Sequence, residues 1–449
     1  MKSVCKILFA AFILCSIPRI VYTQGSWSAL GSGINGPVQA VIVFGNDLYA
    51  AGEFTEAGGL PASNIAKWNG TSWSPLGSGT NGIVYCMAIL GSHLYIGGSF
   101  TMAGGIQANK LARWDGSNWS SIGSTMDLNV SCMTTHNASL YVGGSFTTIN
   151  GQPMARIAKW DGSNWFALGS GVSNTVRSIL LMGTDVYVTG NFTIAGGQSA
   201  TRIAKWNGAS WQPLGTGLNH FGFALANYQN ELVAGGYFYV AGGVPAYLLA
   251  KWNGSAWTDI AGSMYGGNWY SVYTLAVAGS NLYAGGRFDF AGGDSANSIA
   301  IWNGNSWATL GSGLNYNVRS IAVHQGDVYA GGEFTIAGGL PANRIAKWSE
   351  SLTSINGNSS SPDKHKLSQN YPNPFNPSTS ISFSLPEKSF VTLRVYDMLG
   401  REIAELVNNE LNTGNHSFYW DASAYPSGVY FYKIEAGSYT ESKKMILIK

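Results

Sequence analysis

Tryptophan returns at a fixed interval along this chain, and that interval limits the fold more than any other feature. Trp27, Trp73, Trp119, Trp165, Trp211 and Trp257 stand 46 residues apart, and Trp307 follows after 50. A second series keeps the same steps: Trp68, Trp114, Trp160, Trp206, Trp252, Trp302 and Trp348. Two series of seven take up 14 of the 16 tryptophans, so the period is not chance. A period of this length with Gly and aromatic punctuation is the signature of β-propeller blades.

Each period reads as four short strands rich in Val, Ile, Tyr, Phe and Trp, residues that suit a pleated, buried surface. In the first period they are expected near 38–43 (strand A), 48–54 (B), 64–68 (C) and 73–77 (D). Asn-Gly or Asp-Gly joins C to D, as in Asn69-Gly70, because Gly takes positive φ without steric cost. Six complete Trp-x4-Trp hairpins leave Trp27 without a partner before it and Trp348 without one after it. If the strand around Trp27 completes the sheet that ends at Trp348, the array closes as seven blades with no open edge.

The pattern Leu-Tyr-x-Gly-Gly-x-Phe recurs at 94–100, 140–146 and 282–288, and its Phe appears in all seven periods. A Gly pair inside a strand permits close approach by a neighbouring backbone. With these residues the chain resembles kelch and galactose-oxidase-like propellers. The fuller pattern Phe-Thr-x-Ala-Gly-Gly, then Ile-Ala-Lys-Trp-Asn/Asp-Gly, is similar to repeats of cortical polarity-marker proteins. A basic residue precedes most strand-C tryptophans (Lys67, Arg113, Lys159, Lys205, Lys251, Lys347), and cation–π stacking on a Trp of the adjoining blade is one expected use.

Composition changes after Trp348. Residues 349–366 are rich in Ser, Asn, Gly, Pro and Lys, as linkers are. Residues 367–449 read as short strands of a small Ig-like β-sandwich. They carry Asn370-Tyr-Pro-Asn-Pro-Phe-Asn-Pro377, Val395-Tyr-Asp-Met-Leu-Gly-Arg-Glu402 and Ser427-Gly-Val-Tyr-Phe-Tyr432. These words resemble the type A C-terminal sorting domain of type IX secretion. The resemblance implies that 367–449 engage outer-membrane secretion machinery and carry no ligand chemistry. At the other end, Lys2 and Lys6 precede an apolar run over 7–17, too short for a spanning helix of about 20 residues. A signal peptide over 1–23 is expected, then a propeller over 24–348, a linker over 349–366 and a sorting domain over 367–449. The mature chain is expected to have no membrane span and to be secreted or held at the outer cell surface.

Only 11% of residues are charged, against about 25% in an ordinary soluble domain. From Gly25 to Trp348 there are 13 basic and 13 acidic residues, which cancel. No basic stripe is available for phosphates, so nucleic acid is not an expected partner. Cys86 and Cys132 occupy the same small strand position in successive blades, where a thiol packs and a disulfide is not expected.

In a propeller the A–B and C–D turns share one face, and the longer B–C and D–A loops share the other. Binding is expected on the long-loop face. The four extra residues between Trp257 and Trp307 fall near Tyr265, Trp269, Tyr270 and Tyr273. Adjacent loops offer His220, Phe221, Phe223 and Tyr316. Aromatic rings with amides nearby suit a sugar ring or the apolar anchor of a protein partner. A variable position opens strand A in each blade: Gln39, Tyr85, Ser131, Arg177, Phe223, Tyr273 and Arg319. Arg177 and Arg319 there are able to grip a carboxylate. Glu53 and Glu333 follow the Gly pair in two blades, with Arg287 equivalent in another, an arrangement expected to form an inter-blade salt bridge. No nucleophile elbow, zinc-binding helix or phosphate loop stands in the sequence. No catalytic residue, metal or cofactor is therefore assigned. The expected activity is non-catalytic binding of a glycan or protein, with a glycan hydrolase or lyase at the channel mouth as the alternative.

Overall fold

The computed structural model describes residues 25–123, 125–260, 264–266, 270–350, 364–370, 373–411 and 413–448. The expected signal peptide and Trp269 lie outside the described residues. The described residues form two compact units, within 25–350 and 364–448. Both are all-β, with no helix among the described residues.

The first unit holds seven four-stranded antiparallel sheets. Their A strands are Val38–Phe44, Val84–Leu90, Val130–His136, Val176–Met182, Gly222–Tyr228, Ser271–Ala278 and Val318–His324, and they number blades 1 to 7. Each A strand lies beside the A strand of the next sheet, and Val318–His324 lies beside Val38–Phe44, so the sheets close into a ring. The seventh sheet joins the two ends of the array. Its outer strand, Gly25–Ala29, pairs with Ile345–Glu350, and Trp27 faces Trp348. That strand runs two residues past Trp348, because Ser26 and Gly25 pair with Ser349 and Glu350.

The Trp periods have a mechanical role. In every blade the strand-C and strand-D rings pack together, with centroids 5.1 to 6.3 Å apart. In five blades the strand-D indole also donates a hydrogen bond to the preceding blade. Trp73, Trp119, Trp211, Trp257 and Trp27 donate to the carbonyls of Leu30, Leu76, Leu168, Leu214 and Leu310, at 2.7 to 2.9 Å. Trp307 breaks the series: its Nε1 is buried without a partner among the described residues. Ile260 holds the acceptor's place in the repeat, and the four extra residues enter only after Met264, whose pairing with Ala291 matches that of Leu218 with Ala241.

The Gly pair divides into two roles. A Cβ on the second Gly (52, 98, 144, 190, 236, 286, 332) would collide with the carbonyl of the residue just before strand A or, in blade 6, of its first residue, Ser271. A Cβ on the first Gly meets side chains instead, mainly the leading Val of the next blade's A strand: Val130 from Gly97, Val176 from Gly143, Val38 from Gly331. Side chains can yield where a carbonyl cannot, and the first place is Ala51 in blade 1 and Thr189 in blade 4. Cys86 and Cys132 are buried free thiols against these glycines, and burial pushes the Cys132 thiol up to about 12.

The basic residues of strand C do not stack on tryptophan. Lys67, Lys205, Lys251 and Lys347 pair with the carboxylate that opens strand B of their own blade (Asp47, Asp185, Glu231, Asp327), at 2.8 to 3.1 Å. Strands B and C run side by side, so these residues share one face of the sheet. Blade 3 has Ser139 in the acidic place, and there Lys159 lies 5.8 Å over the ring of Tyr141 instead.

The second unit packs a three-stranded sheet (Lys366–Leu367, Ser378–Leu385, Gly414–Asp421) with a four-stranded one (Ser389–Tyr396, Glu402–Leu411, Gly428–Ala436, Tyr439–Leu447) around a single apolar core. The distinctive words of this segment are mostly core. Phe375, Val395, Trp420, Tyr430 and Tyr432 are buried, and the Tyr432 hydroxyl bridges Ser368 and Asn370. Met398 and Leu399 are the exception: they stand 71% and 78% exposed on a turn that Asp397 and Arg401 hold.

Candidate functional site

The loops of the long-loop face are locked to one another. Each B–C connection folds into a two-residue hairpin, such as Glu56–Ala57 against Leu60–Pro61. Most D–A loops send a polar side chain across to cap it. The Asn35 Oδ1 accepts from the backbone N–H groups of Thr55 and Glu56, at 3.0 Å each. Asn81, Asp127, Ser173, Asn219 and Asn315 do the same in blades 2, 3, 4, 5 and 7. At Asp127 these hydrogen bonds outweigh its partial burial and hold the carboxyl below its ordinary range. Two shallow depressions of about 380 and 340 Å³ open among the loops of blades 7, 1 and 2. Their walls include Asn35 and Asn81, whose side chains are already committed to backbone. Chemistry is better served where side chains are free to vary.

That place is the start of strand A. All seven A strands carry a β-bulge there, a shift in register that falls between residues 38 and 40 in blade 1 and at the same repeat position in the others. The extra residues are Gln39, Tyr85, Ser131, Arg177, Phe223, Tyr273 and Arg319, which are the variable positions read from the sequence. A bulge leaves one residue outside the ladder and re-aims its side chain. The variable residues are thus the ones released from sheet pairing. Consecutive ones touch: the Phe223 and Tyr273 rings are 5.5 Å apart, and the Arg319 guanidinium lies 4.1 Å from the Tyr273 centroid.

From this row the contacts continue in both directions. Phe221 lies 6.4 Å from Phe223, with the Arg202 guanidinium 5.8 Å from its centroid. His220 packs edge-on against Phe221 and Tyr237, at 4.3 and 4.5 Å, and its Nδ1 accepts from the Phe221 N–H. Burial, with the Arg202 charge added, lowers the His220 pKa. Arg319 donates to Glu333 through Nε and Nη2, both at 2.7 Å, and Asn317 donates to the other carboxylate oxygen. This pair lies within blade 7, so Glu333 is held by its own sheet and not by the expected inter-blade bridge. Arg287 lies 5.6 Å over the ring of Tyr316.

The remaining aromatic candidates sit further out. Tyr265 stacks on Phe290, with centroids 5.1 Å apart and an interplanar angle of 14°. Tyr270 donates to Asp289 at 2.7 Å. Arg177 is exposed on blade 4. Two further exposed rings, Tyr239 and Tyr247, lie on the hairpin of blade 5. Their signal was present in the repeat: Thr55, Thr101, Thr147 and Thr193 hold the place that Tyr239 takes.

Comparison with known proteins agrees with this architecture. Residues 90–222 match the model of the Rax2 C-terminal beta propeller domain, and residues 369–449 match that of the secretion system C-terminal sorting domain. No curated protein matches the chain in sequence. Among solved structures, it is similar to PorZ, a surface component of the type IX secretion system of Porphyromonas gingivalis, at 14% identity and a TM-score of 0.43. That likeness covers 91% of this chain and 59% of PorZ, so the chain spans well under two thirds of that protein. It is also similar to the β-propeller domain of the Trilobed protease from Pyrococcus furiosus, at 9% identity, 73% and 94% coverage and a TM-score of 0.39. A protein of unknown function from Bacteroides thetaiotaomicron gives 9% identity, 72% and 76% coverage and 0.37. Among the described residues no helix is long and apolar enough to cross a membrane. The chain is a β-propeller followed by a type IX C-terminal sorting domain, and that domain marks it for secretion or the outer cell surface.

Proposed function

We propose that this protein is an exported, non-catalytic binding protein, organised as a signal peptide (1–23), a propeller, a linker and a removable or anchoring sorting domain. Its ligand site is the row of bulge residues on blades 4 to 7, with the aromatic groups around it. One observation carries the reading. The repeat fixes almost every structural position, yet the residue at each bulge differs from blade to blade, and Phe223, Tyr273 and Arg319 meet side by side. Packing alone gives no reason to gather rings and a guanidinium at positions released from the ladder.

Binding is favoured over hydrolysis by the state of Glu333. Arg319 and Asn317 each donate to one of its carboxylate oxygens, which ties it to its own sheet and disfavours the protonated form a general acid needs. A glycan array and a pull-down with the full chain test the reading, with Phe223→Ala and Tyr273→Ala as controls. Capture of a ligand that both substitutions weaken supports it. Turnover of a glycan, or capture that neither substitution alters, refutes it. A protein partner is the second reading, favoured by the aliphatic tips of the blade 2 and blade 7 hairpins, where Met102, Ile106, Ile336 and Leu340 are exposed.

A further inference from the structure

The ligand class follows from how charge is placed around the aromatic row. Phe223 and Tyr273 come from adjacent blades, 5 and 6. The bulge residue of blade 4, on the Phe223 side, is Arg177. On the Tyr273 side stand Arg287 of blade 6 and Arg319 of blade 7. The aromatic pair is therefore flanked by guanidinium groups on both sides.

These arginines are not equivalent. Arg319 is neutralised by Glu333 and pressed on Tyr273, so it holds the ring in place. Arg287 and Arg177 have no carboxylate partner among the described residues. Arg287 rests on Tyr316, which leaves the edge of its guanidinium free to donate a pair of hydrogen bonds. The propeller has no net charge to attract an anion from a distance, with 13 basic and 13 acidic residues. Selection for an anion would therefore rest on guanidinium groups without a carboxylate partner at the site, these two among them. The apolar part of the site is made of flat rings, and Tyr239, Tyr247 and Tyr265 stand exposed on the loops of the same blades. Flat rings match the C–H face of a pyranose.

We propose that the mouth of blades 4 to 7 binds an acidic glycan, a polymer of sugars carrying ring carboxylates. The pyranose faces lie on Phe223 and Tyr273, and the carboxylates take Arg287 and Arg177. This inference rests on the binding reading above and adds the carboxylate to it. The test is titration calorimetry of the full chain with polygalacturonate, alginate and hyaluronate, each beside its methyl-esterified form, which keeps the sugar and removes the charge. At least one acidic polymer should bind, and esterification should weaken it by about tenfold or more, the worth of a charge-assisted pair. Arg177→Gln lies on an exposed side chain and leaves the fold intact; it and Arg287→Gln should each weaken the acidic form and leave the ester unchanged. Equal binding of acid and ester, lost in Phe223→Ala, overturns the carboxylate while the glycan-binding reading survives. Binding that no mouth substitution alters overturns both. Failure of all three polymers overturns the acidic glycan, and a protein captured on the same residues would then take its place.

Discussion

Closure of the ring by its N-terminal strand can be tested at one side chain. Trp27 is 4% exposed, packs on Trp348 at 5.6 Å, and donates to the Leu310 carbonyl, 283 residues away, at 2.8 Å. Trp27→Ala removes the ring, the inter-blade hydrogen bond and the cover over Gly338. Large-to-small changes of a buried Trp cost about 3–5 kcal/mol. Unfolding entropy of roughly 2.1 cal/mol/K per residue, taken over residues 25–350, comes to about 0.7 kcal/mol/K, so ~4 kcal/mol lowers Tm by about 6 °C. Trp27→Phe keeps much of the packing and loses the hydrogen bond, and should cost about 1–2 kcal/mol. Calorimetry and urea unfolding of the full chain measure both. The decisive feature is where the damage falls. If Gly25–Ala29 completes the seventh sheet, Trp27→Ala also raises hydrogen exchange in the facing strand, Ile345–Glu350. A loss below about 1 kcal/mol, or exchange confined to residues 25–29, would mean that the ring does not depend on this strand.

The Gly pair gives a sharper contrast. Gly143→Ala, which meets Cys132 and Val176 side chains, should cost about 1–3 kcal/mol, whereas Gly144→Ala, which meets the Asn129 carbonyl, should cost more, and equal Tm shifts would refute the division of roles. Gly222→Val should destabilise because its side chain collides with the Thr189 hydroxyl, and Thr189→Gly/Gly222→Val should recover at least about 1 kcal/mol of that loss; additive losses would refute the coupling. His220 should titrate below 6.5 by NMR, and Arg202→Gln should raise its pKa only in part, because burial is the larger cause. The sign follows: a lowered histidine pKa contributes stability that is present above pH 6.5 and is lost as pH falls through the folded value. A midpoint at or above 6.5 would refute the burial of that ring.

The 46-residue period made strand order, hairpin turns and the pairing of both chain ends legible, because each rests on spacing alone. Spacing gives no access to register between strands, and the bulge is a fact of register. The variable column Gln39 to Arg319 could be read from the sequence, but its release from the ladder could not. The B–C hairpins escaped for another reason: strands of two residues, such as Glu56–Ala57, are too short to show alternation. The lysine partners are readable from spacing as well. Asp47, Asp185, Glu231 and Asp327 each precede their lysine by 20 residues, and adjacent antiparallel strands bring such positions together.

Departures from the repeat fall into two kinds, and the difference bears on function. Some are answered by a second departure nearby. Thr189 replaces a Gly where Gly222 replaces the facing Val. Ile301 replaces a Lys where Asn281 replaces its acid, and the two residues flank the same strand pair. Such compensation restores volume or charge balance, which is what a closed ring of packed sheets demands. The other kind has no answering change within the sheets. Phe223, Tyr273 and Arg177 replace one another at bulges where no sheet neighbour is required to fit them, and Tyr239 and Tyr247 exchange small polar residues for exposed rings. A packed core tolerates the first kind and gains nothing from the second. The cost of leaving large rings in contact with water falls mainly on blades 5 and 6, with Phe166 and Tyr316 exposed on blades 3 and 7. Irregularity gathered mainly in one sector of an otherwise repetitive ring supports the ligand site proposed there.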